Sequence, residues 1–190
     1  MFASLSPDYR QWMDWSWAEY KPFVDDLLAR PLDARSLDAW MRDWSRLDET
    51  LTEMYNRMYV ATTVNTADSQ AEQAYTRFLD DIYPNFLEAD QALKQKLLDS
   101  GLEPAGFAVP LRNLRAEADL FRPENLPLLA EEQKLKAEYD RIAGGLTLDW
   151  EGQELTVTQM RTFYQDADRS RREQAWRRAA ERQLADRQAI

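Results

Sequence analysis

The chain has 190 residues, with neither histidine nor cysteine, and a net charge of -10. Those absences exclude thiolate and imidazole nucleophiles, disulfides and ordinary zinc ligation, so only oxygen chemistry by carboxylates stays open. The negative balance argues against nucleic acid, whose backbone is gripped by clustered Lys and Arg. A chain of this length buries roughly 70% of the surface it exposes when unfolded. Its 44% hydrophobic and 31% charged residues suit a folded body rather than a disordered one. No basic start leads into an apolar run, and nowhere do 18 apolar residues follow one another, so neither a signal peptide nor a membrane span is expected. The lack of cysteine suits a reducing compartment, and the expected location is cytoplasmic.

In chain order, Trp12, Trp15 and Trp17 come first. Three indoles in six residues cannot share one face; they either pack against the body or form an apolar surface for a partner. Ser16 and Glu19 form a capping box for a helix from Trp17 to Ala29, which Pro31 stops. Ser36 is expected to cap a long helix over 37–64, with Leu37, Trp40, Met41, Trp44, Leu47, Leu51, Met54, Tyr55, Met58 and Thr62 in one stripe of period 3.6. At 1.5 Å per residue it is about 42 Å long, and so crosses a body whose radius of gyration is about 16 Å.

Asn65 and Thr66 break the pattern and cap a third helix, which buries Ala71, Tyr75, Phe78, Ile82, Phe86, Leu93 and Leu97 and ends at Gly101. Pro84 should kink or divide it. The long helix and this one are expected to pair as an antiparallel hairpin. Beyond Gly101, prolines at 104, 110, 123 and 127 punctuate shorter helices over about 110–121 and 127–143. Leu146 to Val157 alternates around Glu151 and Gly152 and reads as a β-hairpin, the single strand signal in the chain. A short helix near 158–165 and an Arg-rich helix from Arg169 follow. The expected fold is therefore all-α, a mainly helical bundle with a long antiparallel helical hairpin, plus one small β-hairpin at 146–157. It forms a single domain over 1–190, with a hairpin lobe at 1–101 and a second lobe at 102–190.

The last 30 residues carry eight Arg against five acids, leaving -13 for residues 1–160. Such a basic helix beside an acidic body is expected to be solvated or paired within the molecule. Its pattern continues to Ala189 and Ile190 without Gly, Asn or Pro to close it. That fits a piece of a larger protein and, equally, a natural helix that frays.

Constellations resembling catalytic or metal sites fail on spacing. Asp166, Asp168 and Ser170 open like a calcium loop, but Arg171 and Arg177 stand where Gly and Glu are needed, which leaves an N-cap cluster. Asp80 and Asp81 suggest a Mg²⁺-diphosphate helix until Pro84 replaces its third carboxylate. Asp25 with Asp26, and Glu131 with Glu132, diverge by about 100° on a helix and cannot easily share an ion. A carboxylate-dependent Mg²⁺ enzyme is the weakest of three function classes. No catalytic, cofactor-binding or metal residue is assigned, and no cofactor is expected in this chain.

The runs YVATTVNTAD (59–68), FLDDIYPNF (78–86), PLLAEEQKLKAEYDRIAGGLTLDWEGQELTVTQM (127–160) and RREQAWRRAAERQLADR (171–187), in that order, resemble the N-terminal, non-catalytic region of oligoendopeptidase F type zinc metallopeptidases, within the thimet oligopeptidase family. The resemblance covers nearly the whole chain. It implies a parent hydrolase that cuts internal bonds of short peptides with zinc held in a separate catalytic domain, on a His-Glu-x-x-His helix absent here. The 190 residues would form one wall of the substrate channel and be inactive alone. The implied partners are that C-terminal catalytic domain and short peptides, with self-association of the isolated chain where its apolar face meets water; nucleic acid and membrane are not among them. The alternative is a stand-alone helical protein-interaction module without enzymatic activity.

Overall fold

A computed structural model describes residues 2–188. Among the described residues are seven α-helices, short 3₁₀ and π segments and one two-stranded sheet, so the fold is all-α apart from that sheet. Among the described residues no helix is long and apolar enough to cross a membrane.

Helix α1 (Trp17–Ala29) begins where the sequence places it: Glu19 Oε2 accepts from the Ser16 backbone N–H at 2.8 Å and from its hydroxyl at 2.5 Å. These bonds hold the Glu19 carboxyl below its ordinary range. At the other end, Arg30 pairs with Asp26 and reaches Asp43 of α2 at 2.5 Å, tying the end of α1 to the next helix.

Helix α2 (Leu37–Val64) has the predicted bounds. Its start is built differently from expectation. Ser36 has helical backbone angles and its hydroxyl donates back to the Pro31 carbonyl at 3.0 Å. The capping oxygen belongs to Asp33, whose Oδ1 accepts from the N–H groups of Arg35 and Ser36 at 2.8 and 2.9 Å. Asp33 stands before the helix, so its carboxylate caps the turn that leads into α2, where a charged acceptor is stronger than a hydroxyl.

Asp68, rather than Asn65 or Thr66, caps α3 (Ser69–Arg77) by accepting from Gln70 and Ala71. A π-helical turn over Phe78–Ile82 then leads directly into α4 (Tyr83–Asp99). Pro84 thus divides the predicted helix without ending it. The proline ring clashes with the carbonyl four residues back in a regular α-helix, and the wider turn, in which Tyr83 N–H donates to the Phe78 carbonyl, relieves it. Gly101, at a φ of 64°, ends α4.

The hairpin of α2 with α3 and α4 is antiparallel. Tyr59 meets Tyr75, Tyr55 meets Phe78, and the Trp44 indole donates to Asp90 Oδ1 at 3.2 Å. Its apolar faces form the larger core, in which Tyr20, Leu27, Trp40, Leu47, Leu51, Leu79, Leu93 and Leu97 are fully buried. Trp12 belongs to this core, its indole N–H donating to the Ser6 carbonyl at 3.0 Å, and Trp15 and Trp17 pack on its edge. The tryptophan trio is therefore packing.

Helices α5 (Ala108–Leu120) and α6 (Leu126–Gly144) lie against α4, and α6 also packs on α2. Strands β1 (Thr147–Trp150) and β2 (Gln153–Thr156) pair antiparallel, with Trp150 opposite Gln153. Both turn residues, Glu151 and Gly152, have positive φ, at 53° and 83°, the pattern of a type I′ turn. A 3₁₀ segment (Gln159–Gln165) leads to α7 (Arg169–Ala185), and Trp150, Met160, Ala175 and Ala179 form a second, smaller core.

Helix α7 stops at Ala185, where the N–H of Asp186 turns back to the carbonyls of Gln183 and Leu184. The expected continuation through Arg187 is not found, and its extension to Ala189 and Ile190 lies outside the described residues. Of the eight arginines at 161–187, three form ion pairs and two more donate only to backbone carbonyls. Arg171 bridges Glu151 and Asp166 at 2.7 and 2.6 Å. Arg182 donates to the Thr147 carbonyl and Arg178 to that of Asp149. The positive helix is thereby clipped to the β-hairpin.

Candidate functional site

A cleft lies where the far end of α2 and the first turns of α3 meet α6, with a volume of about 310 Å³. Thr62, Thr66, Glu72, Tyr75, Glu138 and Arg141 are among its walls, and Lys134 closes one side. The close approach of the elements depends on a glycine: a Cβ on Gly144 would lie 3.2 Å from the Thr66 methyl.

Side chains of α6 hold it to the hairpin beside the cleft. The Tyr55 hydroxyl donates to Gln133 Oε1 at 3.0 Å and the Tyr59 hydroxyl to Asp140 Oδ2 at 2.9 Å. Lys136 stands 4.8 Å from the centre of the Tyr59 ring, a cation held on an aromatic face. Lys134 donates to Asp80 Oδ1 at 2.5 Å, and this bond raises the Lys134 pKa. Behind them stands a block of rings formed by Tyr55, Tyr59, Tyr75, Phe78 and Tyr83, with centroids 6.0 to 6.4 Å apart.

Tyr75 is at once a wall of the cleft and a member of this block. Only 2% of its surface is exposed, and its hydroxyl makes no hydrogen bond of good geometry, with the Tyr55 phenol as its polar neighbour. Burial, with the Tyr55 phenol as neighbour, pushes its pKa well above the ordinary tyrosine value. Burial raises the pKa of Tyr20 as well, but the Tyr20 hydroxyl donates to the Trp12 carbonyl at 2.9 Å.

The carboxylates considered from the sequence are dispersed. Asp80 belongs to Lys134, and Asp81 accepts from the Trp17 N–H at 2.9 Å, tying the π turn to the start of α1. Asp25 pairs with Lys21 and Asp26 with Arg30. Asp168 accepts from the Ser170 N–H as the N-cap of α7. Among the described residues no three acids stand close enough to hold a metal ion together. The α6 contacts that build the cleft were not foreseen. Alternation of Gln133, Lys134, Lys136 and Asp140 on a helix face reads as ordinary solvated polarity, and no periodicity distinguishes it.

The cleft thus lies on a helical hairpin with an aromatic interior, strapped by a further helix. Residues 12–105 match a family model described as the Peptidase M3 N-terminal domain, a stretch of 94 residues in the 190. It covers α1 through α4, that is, the hairpin and the helix before it. Over that segment the chain is similar to the N-terminal domain of M3 peptidases. Two of the sequence runs that carry the resemblance, 59–68 and 78–86, fall inside the matched segment; 127–160 and 171–187 fall outside it. Comparisons with curated proteins and with solved structures give no significant match.

Proposed function

We propose that the chain is the non-catalytic N-terminal domain of an oligoendopeptidase F type metallopeptidase and supplies one wall of the channel that admits short peptides. The observation that carries this reading is the family match across the helical hairpin, residues 12–105. The donor chemistry agrees: zinc in such an enzyme needs imidazole, and a chain without His or Cys has no ligand set for it. The residues present do not fit the metal, so the zinc and its hydrolytic chemistry belong to a separate catalytic domain, and the enzyme acts in the cytoplasm.

The test is complementation. The 190-residue protein alone is expected to hydrolyse no peptide and to bind no stoichiometric zinc. Mixed or co-expressed with the catalytic domain encoded downstream of it, it is expected to restore cleavage of short peptides. Metal-dependent cleavage by the pure chain would overturn the assignment, as would a coding sequence that continues without any His-Glu-x-x-His.

A further inference from the structure

A second concavity, on the opposite flank of α6, has a different character. Tyr139 and Ala143 of α6, Leu146, Val157 after β2, and Ala180 and Leu184 of α7 line a groove of about 590 Å³. Its floor is closed by buried Leu146, while Tyr139 and Leu184 are 49% and 63% exposed on its two banks. Apolar exposure extends beyond the groove along both helices. Leu135 and Leu128 precede Tyr139 on α6, and Trp176, 59% exposed, sits one turn before Ala180 on α7.

The charged residues lining the groove are Arg161 and Arg187, and no acid joins them. This is a local inversion in a protein of net charge -10. Arg171, Arg172, Arg177, Arg178 and Arg182 are each bonded to a carboxylate or a carbonyl. Of the eight arginines at 161–187, Arg161, Arg169 and Arg187 make no side-chain hydrogen bond or ion pair among the described residues, and of these three Arg161 and Arg187 line the groove.

A groove that sets the apolar Tyr139, Leu146, Val157 and Leu184 beside Thr158, Gln183 and two unpaired guanidinium groups has the features of a helix-in-groove receptor. We infer that this groove docks an acidic amphipathic helix of another polypeptide, with its apolar stripe on Leu146, Val157 and Ala180 and its carboxylates on Arg161 and Arg187. Charge complementarity selects the occupant: a basic helix would leave both guanidinium groups facing like charge, and a neutral one would leave them unpaired. The inference does not rest on the peptidase reading, since the groove lies outside residues 12–105.

The probes are two short synthetic helices with the same leucine stripe, one with glutamates on its flanks and one with lysines, titrated against the 190-residue chain by fluorescence anisotropy. The acidic peptide is expected to bind and the basic one not. In the double variant Arg161→Glu, Arg187→Glu, both exposed positions, acidic-peptide binding should weaken at least about tenfold while the basic peptide gains affinity. Leu184→Asp should abolish binding of the acidic peptide without changing the helical circular dichroism signal. Equal binding of both peptides, no binding of the acidic one, or binding indifferent to the arginine reversal would overturn the inference. Sedimentation showing that the groove instead closes on a second copy, in a dimer lost in the arginine variant, would overturn the assigned occupant.

Discussion

The ammonium group of Lys96 lies 2.9 Å from the carbonyl oxygen of Leu27, and it also donates to the carbonyls of Leu28 and Arg30. One side chain of α4 thus satisfies three carbonyls left open at the C-terminal end of α1, where a cation is favoured by the helix dipole. The Trp40 indole donates to the same Leu27 oxygen at 2.9 Å.

Replacing this ammonium exposes its importance. Lys96→Met keeps the apolar stem but takes the donor from the partly buried Arg30 carbonyl and the exposed Leu28 carbonyl, while Leu27 keeps the Trp40 indole, at a cost of about 1–2 kcal/mol. Urea denaturation followed by circular dichroism should show a lower midpoint with an unchanged slope. A midpoint equal to the parent's would mean that water replaces the ammonium without loss.

Tyr20→Phe and Tyr75→Phe make a matched pair. The first deletes a hydroxyl that donates to the Trp12 carbonyl, and should destabilise by about 1–2 kcal/mol. The second deletes a hydroxyl with no partner and should be neutral or stabilising by up to about 1 kcal/mol. Equal losses in the two variants would show that the Tyr75 hydroxyl has a partner in solution.

Alkali should act through the same block of rings. Burial raises the pKa of Tyr20, Tyr75 and Tyr83, and hydrogen bonding to Asp140 raises that of Tyr59. Unfolded phenols ionise near pH 10 while these stay protonated, so their contribution to stability is whole below about pH 10 and is lost as pH rises above it. A phenolate absorbance titration should show these four of the eight tyrosines lagging, then ionising together with loss of helix. Eight smooth ionisations in a protein that stays folded would contradict this.

The type I′ turn gives a local test. Gly152 has a φ of 83°, and Ala there should cost about 1–2 kcal/mol in the hairpin. Arg171→Ala, which removes exposed ion pairs to Glu151 and Asp166, should cost no more than about 1 kcal/mol. Trp150 fluorescence follows both, because that indole is buried in the smaller core.

How much of this was legible in the sequence depends on the kind of signal. The bounds of α1 and α2 follow from the Ser16/Glu19 box and from an uninterrupted apolar stripe, and Glu151-Gly152 announces its turn through φ preferences that few other pairs share. The start of α2 is legible but its cap is not: Ser36 holds the N-cap position, yet its hydroxyl bonds to the Pro31 carbonyl, and one dimension of sequence does not say which side chain turns inward. The π turn was legible only as trouble at Pro84. The cleft was not legible at all: Tyr55, Tyr59 and Tyr75 read as stripe residues, and their partners Gln133 and Asp140 lie far away in the chain.

The antiparallel pairing of α2 with α3 and α4 sets an order of events in time. From the turn at Asp68, the contacts open outward: Tyr59 with Tyr75, Tyr55 with Phe78, then Trp44 with Asp90 across a separation of 46 residues, and Leu27 with Lys96 across 69. Loop-closure entropy grows only logarithmically with length, so once the innermost pair has met, each later pair closes a loop already shortened by its predecessor. The hairpin is therefore arranged to zip from its tip, with α1 the last strap to be fastened. Kinetically, substitutions at Tyr59 and Tyr75 should slow folding, whereas Lys96→Met should chiefly speed unfolding.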